Sequence, residues 1–123
     1  PPDSGYSVDN ITPGGEGGLA AADADANAVP KAFALHQNMP NPFNPVTVIT
    51  YDVPAGGGMV TLEVYDVSGR LLRTLAAGLQ SPGLKSARWD GTNEQGERVS
   101  SGIYFYRMTA PRFSQTRKMV LLR

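Results

Sequence analysis

The sequence predicts an all-β protein, an antiparallel β-sandwich of about seven strands preceded by an N-terminal linker or arm. Three observations carry this expectation. From Phe33 onward, short runs rich in valine, isoleucine, threonine and tyrosine are separated by clusters of glycine and proline. Within those runs apolar and polar side chains alternate with the period of two that a half-buried strand requires. No stretch in this part of the chain reads as a long helix, and no internal repeat or heptad pattern runs through it.

Residues 1–30 read as a different material. Gly14, Gly15, Gly17 and Gly18 are followed by an alanine-rich stretch over residues 20–28 that is broken by Asp23, Asp25 and Asn27. That is linker composition. Two smaller signals lie inside it. Tyr6, Val8 and Ile11 supply the apolar positions of a short strand before Pro13, and residues 19–29 hold enough alanine for a brief helix. The organisation expected is therefore a Gly/Ala-rich linker or arm over residues 1–30 and one sandwich domain over residues 31–123.

Each strand of that domain has its own pattern. Residues 46–53 place Thr47, Ile49, Tyr51 and Val53 on one face, and residues 60–67 place Val60, Leu62 and Val64 opposite Thr61, Glu63 and Tyr65. The turn Val67-Ser68-Gly69-Arg70 follows, in which glycine can take the positive φ of a tight hairpin. The next strand, residues 71–75, should therefore pair antiparallel with the one before it. Residues 84–90 set Ala87 and Trp89 on a common face, and residues 103–109 bring an aromatic cluster. Residues 116–122 are apolar on both faces, the mark of a central or covered strand. Turn residues at 54–58, 81–83 and 91–102 recur at the spacing of immunoglobulin-like sandwiches.

Composition narrows the function. At 123 residues there is room for one core, and 11 Lys and Arg against 11 Asp and Glu leave a formal charge of zero. No nucleic-acid partner is expected, because the basic surplus that binds phosphate is missing. The absence of cysteine excludes disulfides, thiolate metal sites and cysteine nucleophiles. No apolar run approaches the roughly 18–20 residues of a membrane span. The start, Pro1-Pro2-Asp3, has neither an initiator methionine nor a signal peptide, so the chain reads as processed or excised.

The search for chemistry ends in scaffold residues, and no enzyme is expected. His36 is the only histidine, and a Ser-His-Asp arrangement would have to form around a residue at the domain edge. Asp90-Gly91-Thr92-Asn93-Glu94-Gln95-Gly96 clusters calcium-type ligands, but its sixth position is Gln95 and the EF-hand's closing glutamate is replaced by Ser101. A structural turn held by Asp90 and Asn93 is expected there, with calcium as the alternative. The glycines at 14–18 lack the strand and lysine of a phosphate loop, and Asn10-Ile11-Thr12 is a chance glycosylation sequon. In Tyr104-Phe105-Tyr106, Phe105 is expected in the core with Trp89. Exposed Tyr104 and Tyr106 would make a stacking platform for a sugar or a partner.

Five motifs occur together in order: Asn41-Pro42-Phe43-Asn44-Pro45, Val64-Tyr65-Asp66-Val67-Ser68-Gly69-Arg70, Trp89-Asp90-Gly91, Ser101-Gly102-Ile103-Tyr104-Phe105-Tyr106-Arg107, and Lys118-Met119-Val120-Leu121-Leu122-Arg123. Together they resemble the FlgD-like immunoglobulin-type domains, over about residues 33–123. The nearest kin in that group are the C-terminal sorting domains of type IX secretion in the Bacteroidetes, Chlorobi and Fibrobacteres relatives. The resemblance implies an extracellular or cell-surface bacterial location and a secretion or anchoring machinery as partner. The strand Lys118, Met119, Val120, Leu121, Leu122 and Arg123 would be part of what that machinery reads, with Lys118 and Arg123 as its charged contacts.

Three functions remain open on this reading. The first is a non-catalytic sorting or anchoring module. The second is a subunit of an extracellular filament, self-associating as the arm strand Tyr6, Val8 and Ile11 adds to a neighbour's sheet edge. The third is a flagellar hook-cap-like or carbohydrate-binding module. No cofactor is implied beyond the calcium alternative at residues 90–96.

Overall fold

The computed structural model describes residues 29–123, and the compact unit within it is Ala32–Arg123. The arm strand Tyr6, Val8 and Ile11, the sequon at Asn10 and the glycines at 14–18 lie outside the described residues. Seven strands follow one another with no helix among the described residues: β1 (Ala34–Leu35), β2 (Thr47–Val53), β3 (Gly58–Tyr65), β4 (Leu71–Gln80), β5 (Gly83–Trp89), β6 (Gly102–Ala110) and β7 (Phe113–Leu121). They form a three-stranded sheet in the order β1-β2-β5 and a four-stranded sheet in the order β4-β3-β6-β7. All neighbours within the sheets are antiparallel. This is the immunoglobulin-like sandwich that the strand pattern predicts.

Alternation decides what the two sheets bury between them. On β2, Thr47, Ile49, Tyr51 and Val53 face inward, and on β3 Val60, Leu62 and Val64 do. Trp89 closes the core from β5, and Met119 and Leu121 close it from β7. Each aliphatic side chain so buried contributes about 1.5–3 kcal/mol relative to exposure. Three rings join the layers. Phe43 lies 5.7 Å from Trp89, and Trp89 stands edge-on to Tyr104 at 5.6 Å. The indole N–H is satisfied by the Thr92 carbonyl at 2.8 Å, so the ring is buried without stranding its donor.

The hairpin between β3 and β4 forms as expected, with Gly69 at φ +87°. Asp66 does as much as the glycine. Its carboxylate accepts from the Ser68 amide, the Ser68 hydroxyl and the Arg70 amide, an arrangement that ties both sides of the glycine to one side chain. These donors, led by the Ser68 hydroxyl, hold the Asp66 carboxyl below the usual carboxylate range.

Two expectations are corrected. The strand expected over residues 71–75 runs on to Gln80, because pairing with β3 continues through Ala76, Ala77 and Gly78 despite their weak strand propensity. On β6 the aromatic parity is the reverse of that expected. Tyr104 and Tyr106 are buried, at 6% and 0% exposure, while Phe105 lies on the outer face, half-buried beside its cross-strand partners Tyr65 and Lys118. Tyr104 and Tyr106 therefore offer no stacking platform. β7 is an edge strand, so of the two alternatives for its two-sided apolar character, central or covered, the second is the one found. Residues 35–43 run along its free side and supply the cover.

Candidate functional site: the terminal strand and the loop it holds

The strand singled out for recognition is built into the domain from three directions. On one side β7 pairs with β6 from Gly102↔Leu121 to Ala110↔Phe113. On its other side Phe43 makes a parallel bridge to Leu121. The Phe43 amide donates to the Val120 carbonyl at 3.0 Å, and the Leu122 amide donates to the Phe43 carbonyl at 2.9 Å. The Asn41 side chain accepts from the Val120 amide at 3.0 Å, and Gln37 Nε2 donates to the Lys118 carbonyl at 2.9 Å. Farther along, Arg117 Nε donates to the Leu35 carbonyl at 2.8 Å. The Asn-Pro-Phe-Asn-Pro motif thus acts on β7 through Asn41 and Phe43. The Met39–Pro40, Asn41–Pro42 and Asn44–Pro45 bonds are cis.

Within Lys118, Met119, Val120, Leu121, Leu122 and Arg123, alternation divides the work. Met119 and Leu121 are fully buried in the core, while Lys118 and Leu122 are exposed and Val120 is partly so. Arg123 is tied back to the domain. Its Nε donates to the Val99 carbonyl and its Nη2 to the Gly91 carbonyl, both at 2.6 Å, and its amide donates to Ser101 Oγ at 2.8 Å. A Cβ on Gly91 would stand 2.8 Å from Arg123 Nη2, and Gly91 has φ +76°. The conformation favours glycine here, and an added Cβ would displace the end of the Arg123 side chain. Of the two basic residues expected as charged contacts, Lys118 faces outward, while the Arg123 guanidinium is engaged with carbonyls of its own chain.

The loop that Arg123 holds is the one with calcium-type residues. Asp90 accepts from the Thr92 hydroxyl at 2.5 Å and lies 3.8 Å from Arg73. The Thr92 hydroxyl first, and the Arg73 guanidinium after it, depress the Asp90 carboxyl despite the opposing effect of desolvation. Asn93 Oδ1 accepts from the Gln95 and Glu97 amides, and Glu94 Oε2 accepts from the Thr74 amide at 2.8 Å. These polar side chains make hydrogen bonds within the fold, and among the described residues no three His, Asp or Glu side chains group as metal ligands.

His36 sits at the domain margin, exposed, with Nε2 2.9 Å from Asp52 Oδ1. Its carbonyl accepts from the Tyr106 hydroxyl at 2.6 Å, and the same hydroxyl accepts from the Asn38 amide at 2.8 Å. Burial pushes the Tyr106 phenol up, against weaker opposing effects from the Asn38 amide and Arg117. The buried Asn38 side chain in turn donates to Thr47 Oγ1 and to the Pro40 carbonyl. This polar knot fixes residues 36–40, the segment that leads into the cover of β7. A second surface feature escaped the sequence reading. On the outer face Arg107 stacks over the Tyr65 ring at 4.7 Å and donates to its hydroxyl, which donates onward to Glu63.

A two-sheet antiparallel sandwich sealed by inter-sheet aromatics defines the class as an immunoglobulin-like domain. The chain belongs to the family described as FlgD Ig-like domain, which it matches over residues 34–112. All of β7 lies beyond the matched residues. No curated protein sequence matches the chain. Among solved structures it is similar to dimeric latent PorU of Porphyromonas gingivalis, with a TM-score of 0.61 and 23% identity over 76% of this chain and 9% of that one. It is also similar to PorZ of the same organism, a bacterial surface component of the type IX secretion system, with a TM-score of 0.52 and 22% identity over 73% of this chain and 12% of that one. The chain therefore spans about a tenth of the length of either protein, and the likeness is one of fold.

Proposed function

We propose that this domain is a non-catalytic sorting or anchoring module of a secreted or cell-surface bacterial protein, read by an export or anchoring machinery through the outer face of β7. One observation carries the reading. The terminal strand buries Met119 and Leu121 while presenting Lys118, Val120 and Leu122 outward, with its end held by Arg123. A strand supported in this way offers a partner a fixed row of side chains at no ordering cost. Membership of the FlgD Ig-like family and the fold shared with a surface component of type IX secretion agree with this role.

The test is export of a reporter enzyme fused ahead of the full chain in a bacterium that possesses type IX secretion. The fusion is expected at the cell surface or in the medium, and the reporter alone is expected to stay in the periplasm. Equal release of both would contradict the proposal.

A further inference from the structure

We infer that the outer edge of β4 is a docking surface for a second copy of this chain, whose own β4 pairs antiparallel with it and joins two four-stranded sheets into one. The observation behind this is a difference among the sandwich's edges. Unpaired strand edges invite pairing with other chains, and proteins blunt them with charges, short strands or covering segments. The β1 edge is two residues long. β5 carries Lys85 and Arg88, and β7 carries Arg117 and Lys118 and is covered by residues 35–43.

β4 has such protection only at its beginning. The Glu94 amide donates to the Leu72 carbonyl, and Glu94 Oε2 takes the Thr74 amide. A register shift follows at Leu75, where Ala76 stands opposite Leu62 and Thr74 opposite Glu63. Beyond it, Ala76-Ala77-Gly78-Leu79-Gln80 is uncharged and pairs, among the described residues, with β3 alone. None of the ten residues of β4 is fully buried. Leu79 is 80% exposed, and its cross-strand partner Met59 is 56% exposed.

The sequence of this edge suits a copy of itself. In a two-fold antiparallel pairing centred on Gly78, Leu79 of each copy stands across from Ala77 of the other, large against small on the same outer face, with Met59 beside it. The central position holds no side chain, and the space around Gly78 is open, since a Cβ placed there meets nothing within 4 Å. Neither strip carries charge, and the chain's formal charge is zero, so like-charge repulsion does not oppose the pairing. A charged partner segment would find no counter-charge on residues 76–80.

The test is light scattering of the full chain over a concentration series, together with the Leu79→Lys and Ala77→Lys variants. Both substitutions place a charge on an exposed edge position, and circular dichroism checks that each variant is folded. The wild-type mass is expected to rise from 13.1 kDa to twice that value, and the variants to need at least about tenfold higher concentration, the equivalent of 1.4 kcal/mol. Hydrogen exchange of the wild type supplies a readout that needs no variant, with slower exchange of the residue 76–80 amides as concentration rises. A mass fixed at the monomer value, variants that double at the wild-type concentration, or exchange in residues 76–80 independent of concentration would each overturn the inference. So would growth past the dimer, which would point to head-to-tail strand donation.

Discussion

The Tyr106 hydroxyl serves two backbone groups at once, the His36 carbonyl and the Asn38 amide. Removing it leaves both without that partner in a buried setting, so Tyr106→Phe is expected to destabilise the domain by about 1–3 kcal/mol, measured as a shift in the urea midpoint. An unchanged midpoint would show that water replaces the hydroxyl. Asp90 adds a pH dependence whose sign follows from its depressed carboxyl. Its folded-state value lies below the unfolded one, so its stabilisation is complete above about pH 4 and fades as pH falls through the depressed value. Urea midpoints at pH 7 and pH 3 should show the wild type ahead of Asp90→Asn at the higher pH, with the gap narrowing at the lower one. A gap that does not depend on pH would assign the effect to lost hydrogen-bond geometry instead of charge. The role of Tyr106 was hidden in the sequence, because its partners lie about 70 residues away, whereas the loop held by Asp90 and Asn93 was expected from its residue types. The aromatic parity on β6 was more legible than the expectation allowed. Met108 and Ala110 are in phase with Tyr104 and Tyr106, whereas Arg107 is in phase with Phe105, so period two already pointed to the correct inward face.

Between elements, the coupling that defines the candidate site is that of Gly91 with Arg123. Gly91→Ala adds a Cβ 2.8 Å from Arg123 Nη2 and a side chain at φ +76°, while Arg123→Ala removes two hydrogen bonds to carbonyls. Each is expected to cost about 1–3 kcal/mol. Because both break the same contact, the double variant should lose less than the sum of the two. Strict additivity in urea denaturation would mean that the two residues act separately. β2 and β3 were legible because their inward residues, Thr47 apart, are apolar at every second position. The far half of β4 was not, because an edge strand with few buried residues has no alternation to display and Ala76, Ala77 and Gly78 resemble a turn. For β7 the apolar pattern left two alternatives, central or covered, and did not show which residues make the cover. It is made by Asn41 and Phe43 from about 80 residues away, and an apolar strand beneath a covering segment reads like a central one.

For the whole molecule, the sandwich concentrates its features at opposite edges. One edge carries β7, clamped and presenting alternate side chains outward; the other carries the uncharged end of β4. The central claim is that the outward row of β7 is what an export machinery reads, and it separates cleanly from folding because recognition and core packing use alternate residues of one strand. The most direct measurement is surface delivery of a reporter fused to the chain, comparing wild type with a Lys118→Glu, Leu122→Glu variant in a type IX secreting bacterium, with circular dichroism of each purified chain. Both substitutions lie at exposed positions and should leave the fold intact. The account predicts native circular dichroism with surface delivery reduced about tenfold or more, the equivalent of 1.4 kcal/mol of lost recognition. A folded variant delivered as efficiently as the wild type would contradict it.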